Sequence, residues 1–135
     1  MKELVEYLKS NPVQYLATLG LDGKVKCRPF MFAAEYDKKL WFCTNSQKAV
    51  SKELKANSSF ELTVSAPDFS WMRLSGEAIF ENNMEVKELC MEIPIVKNIY
   101  KTADNPLFEV FYISNCQAII ADFSGNPPKL FNSEK

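Results

Sequence analysis

The chain has 135 residues, of which 47% are hydrophobic and 24% charged, and its formal net charge is −1. This length predicts one domain over 1–135, and this composition excludes a disordered chain. The near-neutral charge argues against nucleic acid as a partner, and the absence of histidine removes the commonest general base and transition-metal ligand.

The first third of the chain predicts a helix and a hairpin. Apolar residues recur at helical spacing over 2–10, and Asn11-Pro12 ends this helix. The β-favouring segment 13–21 leads into Asp22-Gly23, a strong two-residue hairpin signal, and 24–36 returns as one long strand. In the first half of that strand charged residues alternate with apolar ones, so we expect it to be half-exposed.

The segment 40–54 predicts a strand, a polar turn and a helix. Leu40 to Thr44 is aromatic and β-favouring, and three good N-cap residues stand together at 44–46. An apolar helical stripe follows, and Asn57 is a candidate for a left-handed helix end. A helix start carries free N–H groups and a positive dipole end, so Lys48 in the first turn makes this stretch a candidate phosphate site. An ordinary capped helix with a solvated lysine would give the same pattern.

The rest of the chain predicts two more hairpins separated by short helices. Segments 60–66 and 70–81 pair as strands, and Gly76 is a candidate bulge. A core-facing helical stripe runs from Val86 to Ile93, and Pro94 restarts a second helix at its first position. Two further strands are expected, over 107–113 and 117–123, followed by an extended tail. Six or seven strands in successive hairpins, with short flanking helices, predict an α+β fold built on a small antiparallel barrel.

Four cysteines are widely spaced, and no pair forms the C-x-x-C motif of a zinc site. Each lies in an apolar run, which favours a buried free thiol. No segment resembles a signal peptide or reaches the length of a membrane span. We therefore expect a cytoplasmic protein with no bound metal and no membrane partner.

Three motifs occur in a fixed order: Arg28-Pro29-Phe30, the segment 42–48, and Trp71-x-Arg73-Leu-Ser-Gly76-Glu-Ala. Pro29 cannot donate a ladder hydrogen bond, so it marks an edge or interruption where neighbouring backbone groups are free for a ligand. In order and spacing, the chain from its first helix to Phe123 resembles the pyridoxamine 5′-phosphate oxidase-like superfamily of split-barrel flavin-binding proteins. The resemblance implies a single FMN-binding split-barrel domain.

The resemblance also implies which residues contact FMN. In the family the strand with Arg-Pro contacts the flavin ring, and the strand–turn–helix binds the ribityl chain and phosphate. The flavin lies at a two-fold dimer interface, so a homodimer is implied, with two residues lining each site from the partner chain. The implied residues are Arg28, Pro29 and Phe30 at the ring; Phe42, Cys43, Thr44, Asn45, Gln47 and Lys48 at the ribityl phosphate; and Trp71 and Arg73 from the partner chain.

The sequence departs from the enzyme that names the family. That enzyme carries a basic, histidine-containing substrate motif near its C-terminus, whereas the sequence after Phe123 contains neither arginine nor histidine. The double basic residue of the family's phosphate turn is reduced to Gln47-Lys48. We therefore expect this chain to bind the FMN cofactor of the family but not the vitamin substrate of that enzyme. The catalytic residues stay unknown.

Two functions remain open at this stage. The first is an FMN-dependent oxidoreductase that acts on an unknown small-molecule substrate with an electron donor such as NAD(P)H. The second is a protein that binds or carries flavin or haem without turnover. Haem would need a tyrosine or cysteine as its axial ligand, because the chain has no histidine.

Overall fold

A computed structural model describes residues 1–132 of the chain. These residues form four helices and eight strands. The helices are α1 (Lys2–Ser10), α2 (Ala49–Ala56), α3 (Met84–Cys90) and α4 (Pro94–Tyr100). The strands are β1 (Gln14–Leu19), β2 (Val25–Phe30), β3 (Phe32–Tyr36), β4 (Lys39–Asn45), β5 (Ser59–Ser65), β6 (Trp71–Phe80), β7 (Phe108–Ala121) and β8 (Lys129–Asn132).

The strands form one antiparallel sheet in the order β2-β1-β5-β6-β7-β4-β3, with β8 also paired to β7. The two ends of this order, β2 and β3, are consecutive in the chain and are separated only by Met31. The sheet must therefore curl until its two edges approach each other at this residue. The edges do not pair, so the barrel is split, and the predicted α+β split-barrel fold is confirmed.

A buried glutamine holds the chain beside this joint. Gln14 has no exposed surface, and its Nε2 donates to the carbonyl oxygens of Leu8 and Asn11 at 3.0 and 3.1 Å. Its Oε1 accepts a 2.8 Å hydrogen bond from the backbone N–H of Phe32, the first residue of β3. One side chain thus satisfies buried backbone groups of α1, of the following turn and of an edge strand.

Two predicted element boundaries are wrong for tertiary reasons. The strand expected over 24–36 is interrupted at Met31, because its halves pair with different strands at opposite edges of the sheet. The strands expected over 107–113 and 117–123 are one 14-residue strand, β7, which runs through Asn115 at φ 50°. Pairing with β6 on both sides of this residue carries the strand past the local turn signal.

Of three further local predictions, those for Gly76 and Pro94 are confirmed and the one for Asn57 is wrong. Gly76 lies at a register shift between β6 and β7, as expected for a bulge, and a Cβ there would meet the Ser114 carbonyl oxygen at 2.5 Å. Pro94 begins α4 as predicted. Asn57 ends α2 in an extended conformation with φ −143°, so the predicted left-handed end is wrong.

An enclosed ion-pair network fixes α2 against β1 and β2. The Arg28 guanidinium donates to Glu53 Oε1 at 2.6 Å and to Thr18 Oγ1 at 2.7 Å, and Thr18 donates to the same carboxylate oxygen at 2.7 Å. Arg28 also donates to the Leu16 carbonyl oxygen at 3.2 Å. The Glu53 side chain is only 7% exposed, so its charge depends on these donors.

The outer face of the first hairpin is apolar, although two of the six β2 side chains carry charge. Lys26 and Arg28 point to one side of β2, where Lys26 pairs with Asp22 and Arg28 with Glu53. The exposed residues on the other side are the apolar ones, and Val25 is 85% exposed. We call the exposed set the β1–β2 patch; it consists of Tyr15, Leu19, Val25, Cys27 and Pro29.

Glu53→Ala should destabilise the fold, because it leaves the Arg28 guanidinium half-buried without its counter-charge. The expected loss of unfolding free energy is about 2–4 kcal/mol, near the lower end for a buried pair because Arg28 retains some contact with water. Urea unfolding followed by circular dichroism measures this loss. Glu61→Ala is the matched control, since the Arg73–Glu61 pair is 3.5 Å apart and about half-exposed on both sides; it should change stability by no more than about 0.5 kcal/mol. Equal losses in both variants would contradict the assigned role of Arg28.

Candidate functional site

The turn between β4 and α2 is shaped by one asparagine. Asn45 Oδ1 accepts hydrogen bonds from the backbone N–H groups of Gln47 and Lys48 at 3.0 and 3.2 Å. Its Nδ2 donates to the Tyr100 hydroxyl at 2.9 Å, which ties the turn to α4. The Asn45 side chain is therefore engaged on both sides, and its role is to set the backbone path into α2.

Helix α2 begins at Ala49, so the prediction that Lys48 lies in its first turn is wrong. Lys48 is its N-cap with φ −75° and ψ 147°, and no side chain caps the helix. Within residues 1–132, no acceptor is found for the N–H groups of Ala49 and Val50. These donors, at the positive end of the helix dipole, are free to bind an anion.

A buried hydroxyl without a partner lies at the end of β4. Thr44 is 3% exposed, and its Oγ1 is the one buried side-chain polar atom of the described residues that has no hydrogen bond. Leaving such a group unsatisfied costs about 1–3 kcal/mol. An unpaired buried hydroxyl beside a helix start indicates a missing acceptor or donor, and a ligand atom can supply it.

Lys48 and Gln47 complete the polar surface of this turn. Both side chains are exposed, and Lys48 forms no ion pair with any carboxylate of the described residues. A free ammonium, two free backbone N–H groups and an unpaired hydroxyl thus lie within the seven residues 44–50. We call this group, formed by Thr44, Lys48, Ala49 and Val50, the anion seat.

Cys43 lies on the side of β4 opposite to Thr44, because successive side chains of a strand alternate. It is half-buried in the hydrophobic cluster that packs α3 and α4 on the sheet. Contact with the Cys90 thiol lowers the pKa of Cys43, and the charge of Lys48 acts in the same direction against the effect of burial. Burial raises the pKa of Tyr100, although its hydrogen bond with Asn45 opposes this.

Of the two phenylalanines that the resemblance implies as cofactor contacts, Phe42 belongs to the core and Phe30 packs against it. Phe42 has no exposed surface, and its ring stacks on Phe111 at 5.5 Å between centroids. Phe30 is half-buried, with its ring 6.2 Å from Phe42 and 6.1 Å from Phe111. The ring of Phe42 is therefore shielded from any ligand, while Phe30 lies at the margin of the core.

Arg28 and Pro29 point to opposite sides of β2. The guanidinium of Arg28 is held in the network with Glu53, so its contacts in this structure are with the protein itself. Pro29 lies in the β1–β2 patch opposite Tyr15. Within residues 1–132 only β1 pairs with β2, so the other edge of β2 presents free backbone groups.

Trp71 and Arg73 lie far from the anion seat within one chain. Thr44 pairs with Glu109 near the start of β7, whereas Arg73 pairs with Ile119 near its end. Ten residues of strand correspond to about 33 Å. Trp71 instead packs on Phe123 at 5.3 Å between ring centroids, and Arg73 pairs with Glu61. The fold thus brings the residues at 43–48 together and leaves these two apart.

The sequence analysis did not identify two residues that bind predicted site residues. Glu53 pairs with Arg28, and Tyr100 accepts a hydrogen bond from Asn45. Glu53 stands three residues after Val50 and next to Leu54, and a carboxylate on the apolar face of a helix is a signal of a buried pair. Tyr100 gave no sequence signal, since its contact with Asn45 spans 55 residues. No three histidine, cysteine or carboxylate side chains are placed to hold a metal ion within the described residues. None of the helices described is long and apolar enough to cross a membrane.

Comparison with known proteins agrees with this architecture. The family model described as pyridoxamine 5′-phosphate oxidase matches residues 1–114. The crystal structure of a NimC/NimA family protein from Clostridium acetobutylicum is 34% identical, with a TM-score of 0.90 over 98% of this chain and 92% of that chain. No curated protein matches the chain.

More distant solved structures share the fold. A putative pyridoxamine 5′-phosphate oxidase from Listeria innocua is 20% identical, with a TM-score of 0.68 over 90% of this chain and 97% of that chain. A heme binding protein from Mycobacterium smegmatis is 15% identical, with a TM-score of 0.72 over 92% of this chain and 54% of that chain. At these identities the likeness concerns the fold alone.

Proposed function

The chain belongs to the pyridoxamine 5′-phosphate oxidase family, and we propose that it is an FMN-binding oxidoreductase with a small-molecule substrate. The observation that carries the proposal is the anion seat. An unpaired buried hydroxyl, free helix N–H groups and an unpaired lysine match the needs of a phosphate dianion. Its location in the segment that the family resemblance assigns to the cofactor phosphate supports the same reading.

The residues present fit the rest of the cofactor as well. The free edge of β2 offers backbone groups to the polar rim of the ring, and Phe30 at the margin of the core offers apolar surface. Arg28 contributes by holding β2 against α2, so that the ring region and the anion seat keep a fixed separation. When bound, FMN supplies electron transfer between a donor and a substrate, and the protein supplies binding and orientation.

A second copy of the chain would complete the site. The β1–β2 patch leaves five exposed residues, mostly apolar, on one face, and a two-fold pairing is the commonest way to cover such a face. Trp71 and Arg73 can reach an anion seat only from another chain, given their distance within one chain. We therefore propose a homodimer in which these two residues line the partner's site.

We propose, on grounds of charge, that pyridoxamine 5′-phosphate is not the substrate. A second phosphate would need further cations near the ring. Arg28 is held by Glu53, and Lys129 in the segment after Phe123 pairs with Glu3 at 2.9 Å. Lys135, the last cation of the sequence, lies outside the described residues. We propose a different substrate, reduced or oxidised with the help of NAD(P)H or another donor.

Lys48→Ala should weaken FMN binding by about 1–3 kcal/mol, because it removes a charge-assisted contact with the phosphate. Titration calorimetry with FMN measures the change. Riboflavin, which lacks the phosphate, should bind both proteins almost equally. Lys52→Ala is the matched control, since this lysine lies one turn further along α2, outside the anion seat. Unchanged FMN affinity in Lys48→Ala would place the phosphate elsewhere.

Light scattering should return twice the chain mass of 15.4 kDa at micromolar concentration. Val25→Lys should shift the protein toward the monomer, because it places a charge in the β1–β2 patch, and FMN affinity should fall with it. Ile95→Lys is the control, since Ile95 is also well exposed but lies on α4. A monomeric parent protein would contradict the dimer.

Under anaerobic conditions, NADH or NADPH should bleach the absorbance of the FMN-loaded protein, and pyridoxamine 5′-phosphate should yield no appreciable pyridoxal 5′-phosphate. The rate should lack a histidine-type inflection near neutral pH, because the chain has no histidine. Failure of every donor would favour a flavin carrier. A sharp Soret band in the purified protein would favour a haem carrier, and rapid formation of pyridoxal 5′-phosphate would overturn the assignment of the substrate.

A further inference from the structure

A cavity of about 420 Å³ lies beside α3, where β6 ends and β7 begins. This volume is within the range of small-molecule sites. Its apolar lining consists of the buried Phe108 and Val110, the partly buried Phe80, and the exposed Met84 and Pro106. The cavity shares no lining residue with the anion seat, so it is a separate candidate site.

Lys87 is a buried cation in the lining of this cavity. It follows Val86, a core residue of α3, and only 9% of its surface is exposed. Its side chain forms no ion pair or hydrogen bond with any other residue of 1–132. A lysine is almost never buried to this extent without a partner, because an unpaired charge is costly to remove from water. The cavity therefore holds a positive charge with which an anionic group of a ligand can pair.

Carboxylates supply the opposite charge around the same cavity. Glu81 and Asp104 are exposed in its lining, and neither forms an ion pair within the described part of the chain. The third carboxylate, Glu109, is already bound by the Ser51 hydroxyl and the Lys55 ammonium. A ligand that carries only a negative charge would be repelled by Glu81 and Asp104, whereas a ligand ammonium would be attracted by them.

We propose that this cavity binds a free α-amino acid with an apolar side chain. The ligand carboxylate pairs with the Lys87 ammonium, the ligand ammonium faces Glu81 and Asp104, and the side chain packs on Phe80 and Phe108. Such a molecule carries both charges and the apolar group that the lining calls for. The inference does not require that FMN binds, because it uses only the charges and the apolar surface of this cavity.

The test is titration calorimetry of the full-length protein with L-phenylalanine and L-leucine. Each amino acid is compared with the amine that lacks its carboxylate and with the acid that lacks its ammonium. These analogues are 2-phenylethylamine and 3-phenylpropionate for phenylalanine, and 3-methylbutylamine and 4-methylpentanoate for leucine. We expect each amino acid to bind at least about tenfold more tightly than either of its analogues, because each analogue lacks one charge-assisted contact.

Variants of the charged lining residues assign the two contacts. Lys87→Met keeps the apolar stem and removes the charge, so it should weaken amino acid binding about tenfold or more and leave the affinity for the amines unchanged. The double variant Glu81→Gln, Asp104→Asn should remove the preference for the amino acids over the acids. Lys97→Met is the matched control, since Lys97 is exposed on α4 and lies outside the cavity lining; it should bind the amino acids like the parent protein.

A lysine whose ammonium merely reaches water through the cavity would show the same burial without binding a ligand. In that case neither amino acid would bind at millimolar concentration, or both would bind no more tightly than their amines, and the proposal would be wrong. Parent-like affinity for the amino acids in Lys87→Met would overturn it as well. None of these titrations involves the anion seat, so failure here can be told apart from failure of the proposed FMN site.

Discussion

The structure depends on one constraint: the chain passes from one edge of the sheet to the other edge through the single residue Met31. This connection is possible only if the sheet is strongly curled, and the curl encloses the cluster of phenylalanine rings around Phe42 and Phe111. The edges remain unpaired, so backbone donors and acceptors of β2 stay free. A split in the barrel is thus the source of the exposed polar edge that a flat ligand could use.

A second consequence of the curl is that α2 must be held at a defined place. The helix is only eight residues long, and its own hydrogen bonds would not stabilise it alone. The network of Arg28, Glu53 and Thr18 fixes its side against the first hairpin, and Asn45 fixes its approach from β4. The first helical N–H groups are therefore preorganised before any ligand arrives, which reduces the ordering cost of binding.

The sequence predicted the turns and helices whose conformation depends on residues close together in the chain. Pro94 begins α4 as predicted, and Val86 and Cys90 of the predicted stripe are buried on α3. A hairpin also forms at Asp22-Gly23, but residues 20–24 connect its strands, so the predicted two-residue turn is wrong. The boundaries predicted from the sequence are wrong where pairing with a distant strand determines the conformation of the chain. Asn115 carries a turn signal, yet pairing with β6 carries β7 through it, and Met31 breaks a run that looks continuous because its two halves have different partners.

In the candidate site, too, local patterns could be recognised in the sequence, whereas contacts between distant residues could not. Lys48 and Thr44 could be identified because a strand followed by cap residues and a helix is a local pattern. The resemblance implies Arg28 as a contact of the flavin ring, and in the structure its guanidinium also pairs with a carboxylate 25 residues away, that of Glu53. The family resemblance could transfer a motif to this position. It could not show which neighbour the guanidinium contacts.

Lys48 follows two β4 side chains that face opposite sides of the strand, the Cys43 thiol and the Thr44 hydroxyl. Thr44 faces one side of the strand and Cys43 the other, and the lysine follows both at the end of the strand. A dianion in the anion seat would draw the ammonium toward Thr44 and screen its charge from the sulfur. The Cys43 thiolate is stabilised by that same charge. An anion bound at the seat would therefore weaken the effect of Lys48 on the pKa of Cys43.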